Sequence, residues 1–456
     1  GGFPMNKKNK SKKGKAKPGF WTRAKIVVFA AVMTAGFLLA MLIPLRPAES
    51  QSENRKLSAF PAFSVHSLFD GSYFMGINLW FSDTFPFRET LVAANGSLKK
   101  LYGFTAAVVH GSVGKGDEIP DAPVTRREGT TVTATQAPTQ PPVAATQEPA
   151  TAAPDLGETQ AFVAVLLIGD SAYEYYSFVT DLANQYIAAV NKTADKLAGK
   201  ATVYNLVVPN SMGILVPDSV RKEVQSSDQK KAIGYIYGSM DKKVKTADVY
   251  SSLEKHKSEY IYFRTDHHWT AVGAYYGYTA FTQAKGVDAV PLAKYEKKAF
   301  KNFLGSFYAS AKKDPALGKH PDTVEAFLPF NDTAMTFTDK RGNTVKWEVI
   351  TDVEKWSPSS KYSAFIGGDN PYANIRNNDL TDNSSCLVIK ESYGNAFVPF
   401  LIPHYQNVHV IDYRYWKGDL IKFVTDKKIK DVLIVNNISA TRNTALIEKL
   451  RVMTGA

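Results

Sequence analysis

Four consecutive residues, Asp266-His267-His268-Trp269, carry the side chains best suited to acid–base chemistry in this sequence. A carboxylate two residues before a histidine can accept the imidazole Nδ1 proton, which leaves Nε2 as a base toward a hydroxyl group. The alternatives are a helix N-cap for Asp266, or for Thr265, and structural hydrogen bonds for the histidines. A metal site is disfavoured, because contiguous residues rarely point at one ion and no pair has helical ligand spacing. We therefore predict no metal.

Ser392 is the predicted partner of this base. It follows a buried apolar run and precedes a predicted helix, so its side chain would stand at a strand tip, with the amides of Tyr393 and Gly394 near a developing oxyanion. The chain lacks the Gly-x-Ser-x-Gly pattern, and a plain serine N-cap is the alternative. Ser171, in Gly169-Asp170-Ser171, is a rival nucleophile.

Short apolar runs alternate with amphipathic stretches from residue 162 onward, which predicts an α/β fold with a mostly parallel sheet covered on both faces. The predicted strands are 162–168, 202–208, 260–263, 386–389, 408–411 and 432–435, and the predicted helices are 176–197, 229–242, 270–284, 396–404 and 441–451. The segment 287–380 interrupts this alternation and is predicted to be a long excursion with short strands. Polar residues follow most strands, and sites in such sheets form beyond the carboxyl ends of strands.

The N-terminus predicts a single membrane span. Residues 1–25 hold nine of the basic residues and no acidic one, and residues 26–45 are uncharged. At about 1.5 Å per residue, the uncharged run is long enough for the hydrocarbon core of a bilayer. The basic flank indicates a cytoplasmic N-terminus and an extracytoplasmic remainder. The alternative is a cleaved signal peptide, but the apolar stretch is long for one and 46–49 is a poor cleavage site.

Beyond the anchor, composition divides the chain into three parts: an N-terminal extracytoplasmic segment (46–116) with one or two helices between Leu68 and Leu101, a Thr/Pro/Ala-rich disordered insertion (117–160), and a domain (161–456) that holds the candidate catalytic residues. Runs 107–113 and 162–168 could pair across the insertion. The net charge of +12 falls to +3 without the basic tail, so nucleic acid is not an expected partner. Cys386 is the single cysteine, which excludes intramolecular disulfides.

The run Thr265-Asp266-His267-His268-Trp269-Thr270 resembles the signature of the DHHW protein family, which is similar to alginate O-acetyltransferase proteins of the SGNH-hydrolase-like superfamily. Further motifs agree in type and order: Glu53-Asn54-Arg55, Phe85-Pro86-Phe87-Arg88, Val208-Pro209-Asn210-Ser211, Ser392-Tyr393-Gly394-Asn395 and Asp412-Tyr413-Arg414. The resemblance covers about residues 50–116 and 160–450.

The resemblance implies a three-layer SGNH-like fold without a cofactor and a triad of Ser392, His268 and Asp266, with His267 supporting. It makes Ser171 a weaker candidate for the nucleophile. Asn370 is a further candidate for donating a hydrogen bond to the oxyanion or for binding sugar. Glu391 departs from the aspartate expected before the serine.

The expected activity is transfer of acetyl groups to a cell-surface polysaccharide through a serine ester, with a membrane-bound acyltransferase supplying the acetyl group. An acetylesterase with the same triad is the first alternative. A non-catalytic module that binds glycan or organises an assembly is the second.

Overall fold

The computed structural model describes residues 27–29, 31, 34, 49–50, 55–56, 58–64, 67–68, 72–85, 108–111, 116–121 and 164–455. These residues belong to two compact units, Gly1–Phe104 and Thr105–Ala456. All of the predicted site residues lie in the second unit. Most of the predicted insertion, from residue 122 to residue 160, lies outside the described residues.

Two short strands and a helix of twelve residues are delimited in the described part of the first unit. Strands β1 (Glu49–Ser50) and β2 (Arg55–Lys56) pair in antiparallel fashion. Helix α1 (Ser72–Asp83) confirms a helix in the region where one or two were predicted.

The predicted membrane span, 26–45, lies outside the described residues apart from 27–29, 31 and 34. Among the residues that the structure describes, no helix combines the length and apolar character needed to cross a bilayer.

The second unit is a mixed α/β structure. Its strands are β3 (Val108–Gly111), β4 (Ala164–Ile168), β5 (Ser171–Glu174), β6 (Thr202–Val208), β7 (Val244–Thr246), β8 (Glu296–Phe303), β9 (Asp322–Leu328), β10 (Thr333–Thr338), β11 (Thr344–Trp347), β12 (Tyr372–Asn377), β13 (Ser385–Lys390), β14 (Asn407–Asp412) and β15 (Asp431–Asn437). Its α-helices are α2 (Thr180–Leu197), α3 (Ser211–Leu215), α4 (Asp218–Glu223), α5 (Gln229–Gly238), α6 (Val249–Lys255), α7 (Ala271–Lys285), α8 (Ser306–Ser310), α9 (Pro315–Gly318), α10 (Gly394–Phe397), α11 (Leu420–Asp426) and α12 (Thr444–Thr454). Four 3₁₀ segments complete it: Leu292–Lys294, Pro358–Ala364, Val398–His404 and Ile438–Arg442.

The central sheet has eight strands in the order β11-β10-β12-β14-β13-β15-β6-β7. From β14 to β7 all neighbours are parallel, whereas β11, β10, β12 and β14 pair in antiparallel fashion. The predicted strands at β6, β13, β14 and β15 are confirmed. The prediction of a mostly parallel sheet holds only for one half, because three strands of the 287–380 excursion, β12, β10 and β11, extend the sheet with alternating directions.

Two predicted strands do not belong to this sheet. Residues 162–168 contain β4, which lies between β3 and β5 in a separate antiparallel sheet. The predicted pairing of 107–113 with 162–168 is therefore confirmed. The prediction that strand 162–168 belongs to the main sheet was wrong. Residues 260–263 form only an isolated bridge, between Tyr262 and Trp269.

The apolar runs that predicted the central strands are buried because they fill the middle of the sheet. Every residue of β13 and of β15 is buried. Helices α2 and α12 pack together, as do α6 and α7, and α2, α6 and α7 all contact β6. Parallel strands covered in this way place their carboxyl ends together at one edge.

Helix α7 starts directly after the Asp266-His267-His268-Trp269 run and is anchored by its first turn. Thr270, and not the predicted Thr265 or Asp266, is its N-cap, and its Oγ1 accepts from Gly273 N at 3.2 Å. A Cβ at Gly273 would lie 2.3 Å from the backbone oxygen of Ile261. The helix therefore approaches the preceding chain more closely than any side chain would permit.

We expect Gly273→Ala to destabilise the protein by about 1–3 kcal/mol, because the added methyl group would push α7 off residue 261. Gly234→Ala is the matched control, since Gly234 lies in α5 with no atom within 4 Å of its Cβ position. There, alanine should stabilise by about 0.5–1 kcal/mol through its helix propensity. Urea unfolding of both variants measures the difference, and equal effects would contradict the close approach.

Candidate active site

The Asp266-His267-His268-Trp269 run forms a loop that is clamped by a buried carboxylate of another strand. Asp322, at the start of β9, accepts hydrogen bonds from Thr265 N at 2.7 Å and from Thr265 Oγ1 at 2.6 Å. Its other oxygen accepts from Arg264 N at 3.1 Å. Asp322 has no exposed surface. Thr265, directly before Asp266, is thus held in place by Asp322, a residue that is distant in the sequence.

Asp266 is a buried carboxylate whose two oxygens are both used. Its Oδ1 accepts from His268 N at 3.0 Å and from His268 Nδ1 at 2.6 Å, and its Oδ2 accepts from Ser306 N at 2.8 Å. A Cβ at Gly305 would stand 2.2 Å from Oδ2, so only glycine leaves room for the carboxylate.

These partners keep Asp266 ionised. Burial alone would raise the pKa of Asp266, but the neighbouring imidazoles of His268 and His267 and the bonds from His268 and Ser306 N outweigh it and hold the pKa well below its usual range.

His268 links this carboxylate to Ser392. Its Nε2 lies 2.7 Å from Ser392 Oγ, and its Nδ1 faces Asp266. Because an ionised carboxylate only accepts, Nδ1 carries the proton and Nε2 accepts from the serine hydroxyl. The structure therefore brings together the three residues predicted as a triad, in the order Asp266–His268–Ser392.

His267 lies beside this chain of hydrogen bonds, with its Nδ1 3.7 Å from Asp266 Oδ1. Its Nδ1 lies 2.6 Å from Ser306 Oγ, on the residue whose amide binds Asp266. Burial, followed by the neighbouring charge of His268, lowers the pKa of His267 to about 3. His267 is therefore neutral beside His268, and the supporting role expected for it stays a prediction.

Three aromatic side chains connect the two loops that carry the triad. The Tyr362 hydroxyl donates to Ser392 O at 3.2 Å, and Trp269 Nε1 donates to Tyr393 O at 2.9 Å. In the opposite direction, the Tyr393 hydroxyl donates to His267 O. These hydrogen bonds hold the loop of His268 and the loop of Ser392 close together.

Glu391 is a second carboxyl group beside the nucleophile candidate. Its Oε2 lies 3.2 Å from Ser392 Oγ and accepts from Tyr393 N at 3.1 Å, while Oε1 accepts from Asn437 N at 2.8 Å. Burial raises the pKa of Glu391, although Arg414 and the two backbone amides oppose the increase. Glu391, which stands where the resemblance leads us to expect an aspartate, therefore lies directly beside the Ser392 hydroxyl.

The groups predicted to bind an oxyanion have other partners in this geometry. Tyr393 N donates to the Glu391 carboxyl group, and Gly394 N donates to Glu391 O at 3.0 Å. Asn370 is buried, and its Nδ2 donates to Gly367 O at 3.1 Å. The structure gives none of the three a contact with Ser392 Oγ, and their assignment stays a prediction.

Asn437 is a donor that the sequence analysis did not assign. It ends β15, and the parallel pairing of Lys390 with Val435 puts Ser392 and Asn437 two residues beyond the same point of neighbouring strands. Its Oδ1 accepts from Ser439 N at 2.7 Å, whereas its buried Nδ2 has no hydrogen-bond partner among the described residues. The available signal was the pair of amide side chains, Asn436 and Asn437, that follows the predicted strand 432–435.

A buried ion cluster fixes the strand that carries Ser392. Lys390 Nζ lies 3.1 Å from Asp369 Oδ1 and 3.0 Å from Asp412 Oδ2, and Arg414 pairs with both carboxylates, at 2.8 and 2.7 Å. Asn395 Nδ2 also donates to Asp369, at 2.9 Å. Two cations and two carboxylates thus compensate one another inside the protein.

Ser171, the rival nucleophile, stands apart from this geometry. It starts β5 in the separate sheet, and its Oγ donates to Asp170 at 3.1 Å.

Asp266, His267 and His268 lie close enough together to hold a metal ion. One ligand atom from each of them lies within 4.8 Å of the other two. However, Asp266 Oδ1 already binds His268 Nδ1, and His268 Nε2 faces Ser392, which fits a triad better than a metal site.

The structure thus combines a mixed α/β sheet with a hydrogen-bond chain of Asp266, His268 and Ser392, in which Ser392 lies two residues after β13. The chain belongs to the DHHW protein family, whose family model matches residues 53–135 and 142–411. The resemblance stated from the motifs is thereby confirmed. No curated protein matches the sequence.

Solved structures agree with the fold. A DHHW family protein from Eubacterium siraeum is 28% identical, with a TM-score of 0.57 over 63% of this chain and 94% of that one. Bacillus cereus PatB1, solved with a sulfonyl adduct, is 20% identical, with a TM-score of 0.52 over 62% and 97%. The O-acetyltransferase domain of Pseudomonas putida AlgJ matches at 13% identity and a TM-score of 0.34, over 63% and 98%, which is too distant to support a functional conclusion.

The low pKa of His267 predicts a specific pH dependence of stability. Since the pKa is about 3 in the folded chain and about 6.5 when unfolded, the unfolded chain binds more protons between these values. Stability is therefore lost as the pH falls through this window. His267→Gln should flatten the dependence by up to about 1.4 kcal/mol per pH unit.

Urea unfolding between pH 3.5 and pH 7 measures the effect. His320→Gln, at an exposed histidine, is the control and should leave the slope unchanged. A slope in His267→Gln equal to that of the unmodified protein would contradict a buried neutral imidazole.

Proposed function

We propose that this protein is an extracytoplasmic O-acetyltransferase that esterifies hydroxyl groups of a cell-surface polysaccharide. The observation that carries the proposal is the continuous chain from Asp266 through His268 to Ser392, with distances of 2.6 and 2.7 Å. A general base within hydrogen-bond reach of a hydroxyl, itself oriented by a carboxylate, is the arrangement that activates serine.

The mechanism has two halves. In the first, His268 takes the Ser392 hydroxyl proton while Oγ attacks the acetyl carbonyl, and the protonated His268 then gives that proton to the departing group. In the second, His268 takes a proton from a sugar hydroxyl, which attacks the acetyl-serine and leaves as the acetylated sugar, and Ser392 regains its proton from His268. Asp266 stays ionised and stabilises the imidazolium formed in each half.

The sequence supports the proposed location and partners. The uncharged run 26–45 after a basic tail favours a single membrane span with the site outside the cytoplasm. An acetyl group delivered through the bilayer by a membrane-bound acyltransferase would then reach the enzyme at the outer face. The polysaccharide leaving its synthase would be the acceptor.

Hydrolysis is the second candidate, because water and a sugar hydroxyl compete for the same acetyl-serine. Product analysis separates the two: free acetate alone supports an acetylesterase, and ester-linked acetate on the glycan supports the transferase.

Ser392→Ala should reduce turnover of an aryl acetate, and transfer to an oligosaccharide, by about 10³-fold or more. Ser171→Ala, which removes the rival hydroxyl, is the matched control and should retain both activities. Asp266→Asn should lose on the order of 10³–10⁴-fold, because an amide cannot hold the required imidazole tautomer.

Covalent labelling provides a readout independent of turnover. PatB1 at 20% identity establishes the fold only, so its sulfonyl adduct is a reason to try sulfonyl fluorides beside fluorophosphonates and is not evidence for the nucleophile. Mass spectrometry should locate the label on Ser392. Glycan binding without labelling, or transfer that persists in Ser392→Ala, would instead favour the non-catalytic alternative or another nucleophile.

We also propose Asn437 Nδ2 as a donor to the oxyanion, since this amide is buried, lies two residues beyond the Lys390–Val435 pair as Ser392 does, and has no partner among the described residues. Asn437→Ala should lower kcat by about 10²-fold with little change in the yield of covalently labelled Ser392. Asn343→Ala, at an exposed asparagine of the β10–β11 turn, is the control. An unchanged kcat in Asn437→Ala would remove this donor from the mechanism.

A further inference from the structure

Tyr362 has an unusual position against the proposed base. Its ring lies parallel to the His268 imidazole, with centroids 3.8 Å apart and an angle of 10° between the planes. The hydroxyl of the same side chain donates to Ser392 O at 3.2 Å. One buried residue, distant in sequence from both loops, therefore touches the base and the backbone of the nucleophile.

We infer that Tyr362 is a positioning residue that holds the His268 ring in the plane joining Asp266 to Ser392 and stabilises the imidazolium formed during acyl transfer. This inference rests on the proposed function. It assigns to Tyr362 an effect on the charge state of the base as well as on its orientation.

The physical basis is the quadrupole of the aromatic ring, whose face is negative and attracts a cation. A neutral imidazole gains mainly packing from such a stack, whereas an imidazolium also gains electrostatic attraction, which is stronger when water is excluded. Because His268 is protonated only after it has taken a proton from Ser392 or from the acceptor, the stabilisation increases along the reaction. Interactions that strengthen in this way accelerate a reaction.

The surroundings of Tyr362 keep the ring in place and neutral. Phe263 and Phe365 contact it edge-on, at centroid distances of 6.1 and 5.4 Å. Burial, reinforced by the nearby carboxylate of Asp266, raises the pKa of Tyr362 well above its usual value. The hydroxyl therefore remains a donor to Ser392 O, and the stack carries no phenolate.

Other groups also act on the charge of His268 and must stay constant in a test. Among the described residues, Asp266 and His267 face it from its own loop, Glu391 and Tyr393 from the loop of Ser392, and Tyr362 from the 3₁₀ segment Pro358–Ala364. The flat stack with Tyr362 is much closer than the tilted contact with Tyr393, whose centroid distance is 5.3 Å. Tyr362 can therefore be altered without replacing a charged group.

Two substitutions separate the ring from the hydroxyl in the full-length chain. Tyr362→Phe keeps the stack and loses the bond to Ser392 O, whereas Tyr362→Leu loses both. For Tyr362→Leu, we expect kcat/KM for an aryl acetate to fall about five- to thirtyfold. The acid limb of its pH profile should move to lower pH by about half a unit or more, because an unstacked imidazole is protonated less readily.

Tyr362→Phe should keep the acid limb of the unmodified protein. Tyr372→Leu is the matched control, since Tyr372 also lies parallel to a histidine, His409, but in β12 and outside the site. It should leave both kcat/KM and the acid limb unchanged. If Tyr362→Leu does not fold, as judged by urea unfolding, Tyr362→Met restores volume without an aromatic face and carries the same expectation.

A readout without turnover keeps this inference distinct from the proposed function. Histidine NMR titration, with the His268 signal assigned through its loss in His268→Asn, should show a lower protonation midpoint in Tyr362→Leu than in Tyr362→Phe. Equal midpoints and equal acid limbs would overturn the role of Tyr362 even if the enzyme is active. A shifted midpoint in a protein that neither turns over aryl acetates nor labels at Ser392 would support the stack and reject the transferase.

Discussion

The candidate site depends on the burial of one ionised carboxylate, that of Asp266. A charged carboxylate out of contact with water is costly unless hydrogen bonds and an opposite charge compensate it. Here three N–H groups, from His268 and Ser306, converge on it, and Gly305 leaves the space that it fills. The same bonds that make the burial tolerable also fix the tautomer of His268, so stability of the loop and readiness of the base have one cause.

The nucleophile candidate is held by an equivalent arrangement on the other side. Strand β13 carries four apolar residues, 386–389, before Lys390, where the chain meets the compensated charges of Asp369, Asp412 and Arg414. Removing one member of such a cluster would leave an unpaired buried charge, which is far more destabilising than the loss of a surface pair. The ion cluster therefore fixes the end of β13, from which the loop of Ser392 starts. The distance between Ser392 and His268 depends on this cluster on one side and on the hydrogen bonds of Asp266 on the other.

The parts of the fold that could be predicted from sequence are those with a local signal. Continuous apolar runs indicated β13 and β15, and the polar residues after them indicated where a site would form. The same kind of run misplaced β4, because burial in a small antiparallel sheet and burial in the central sheet leave similar patterns.

The missed residues have no such signal. Asp322, Ser306 and Tyr362 act on the loop of His268 from positions 38 to 94 residues further along the chain, and only the folded topology brings them there. The family signature predicted Asp266, His268 and Ser392, since their types and order are written in the motif. No pattern singles out Asn437, because an amide after a strand is also a common way to cap the segment that follows.

Glu391 shows how narrow the electrostatic balance of such a site is. A charged carboxylate 3.2 Å from Ser392 Oγ would repel the negative charge that develops on the acyl group during attack. Burial raises the pKa of Glu391 and so opposes its ionisation, while Arg414 and the amides of Asn437 and Tyr393 disperse the charge that remains. The Tyr393 amide is consumed in this task, so the proposed mechanism needs an oxyanion donor from another group. The Asn437 side-chain amide, which has no partner among the described residues, is the proposed donor, because negative charge beside the proposed nucleophile must be either neutralised or bound.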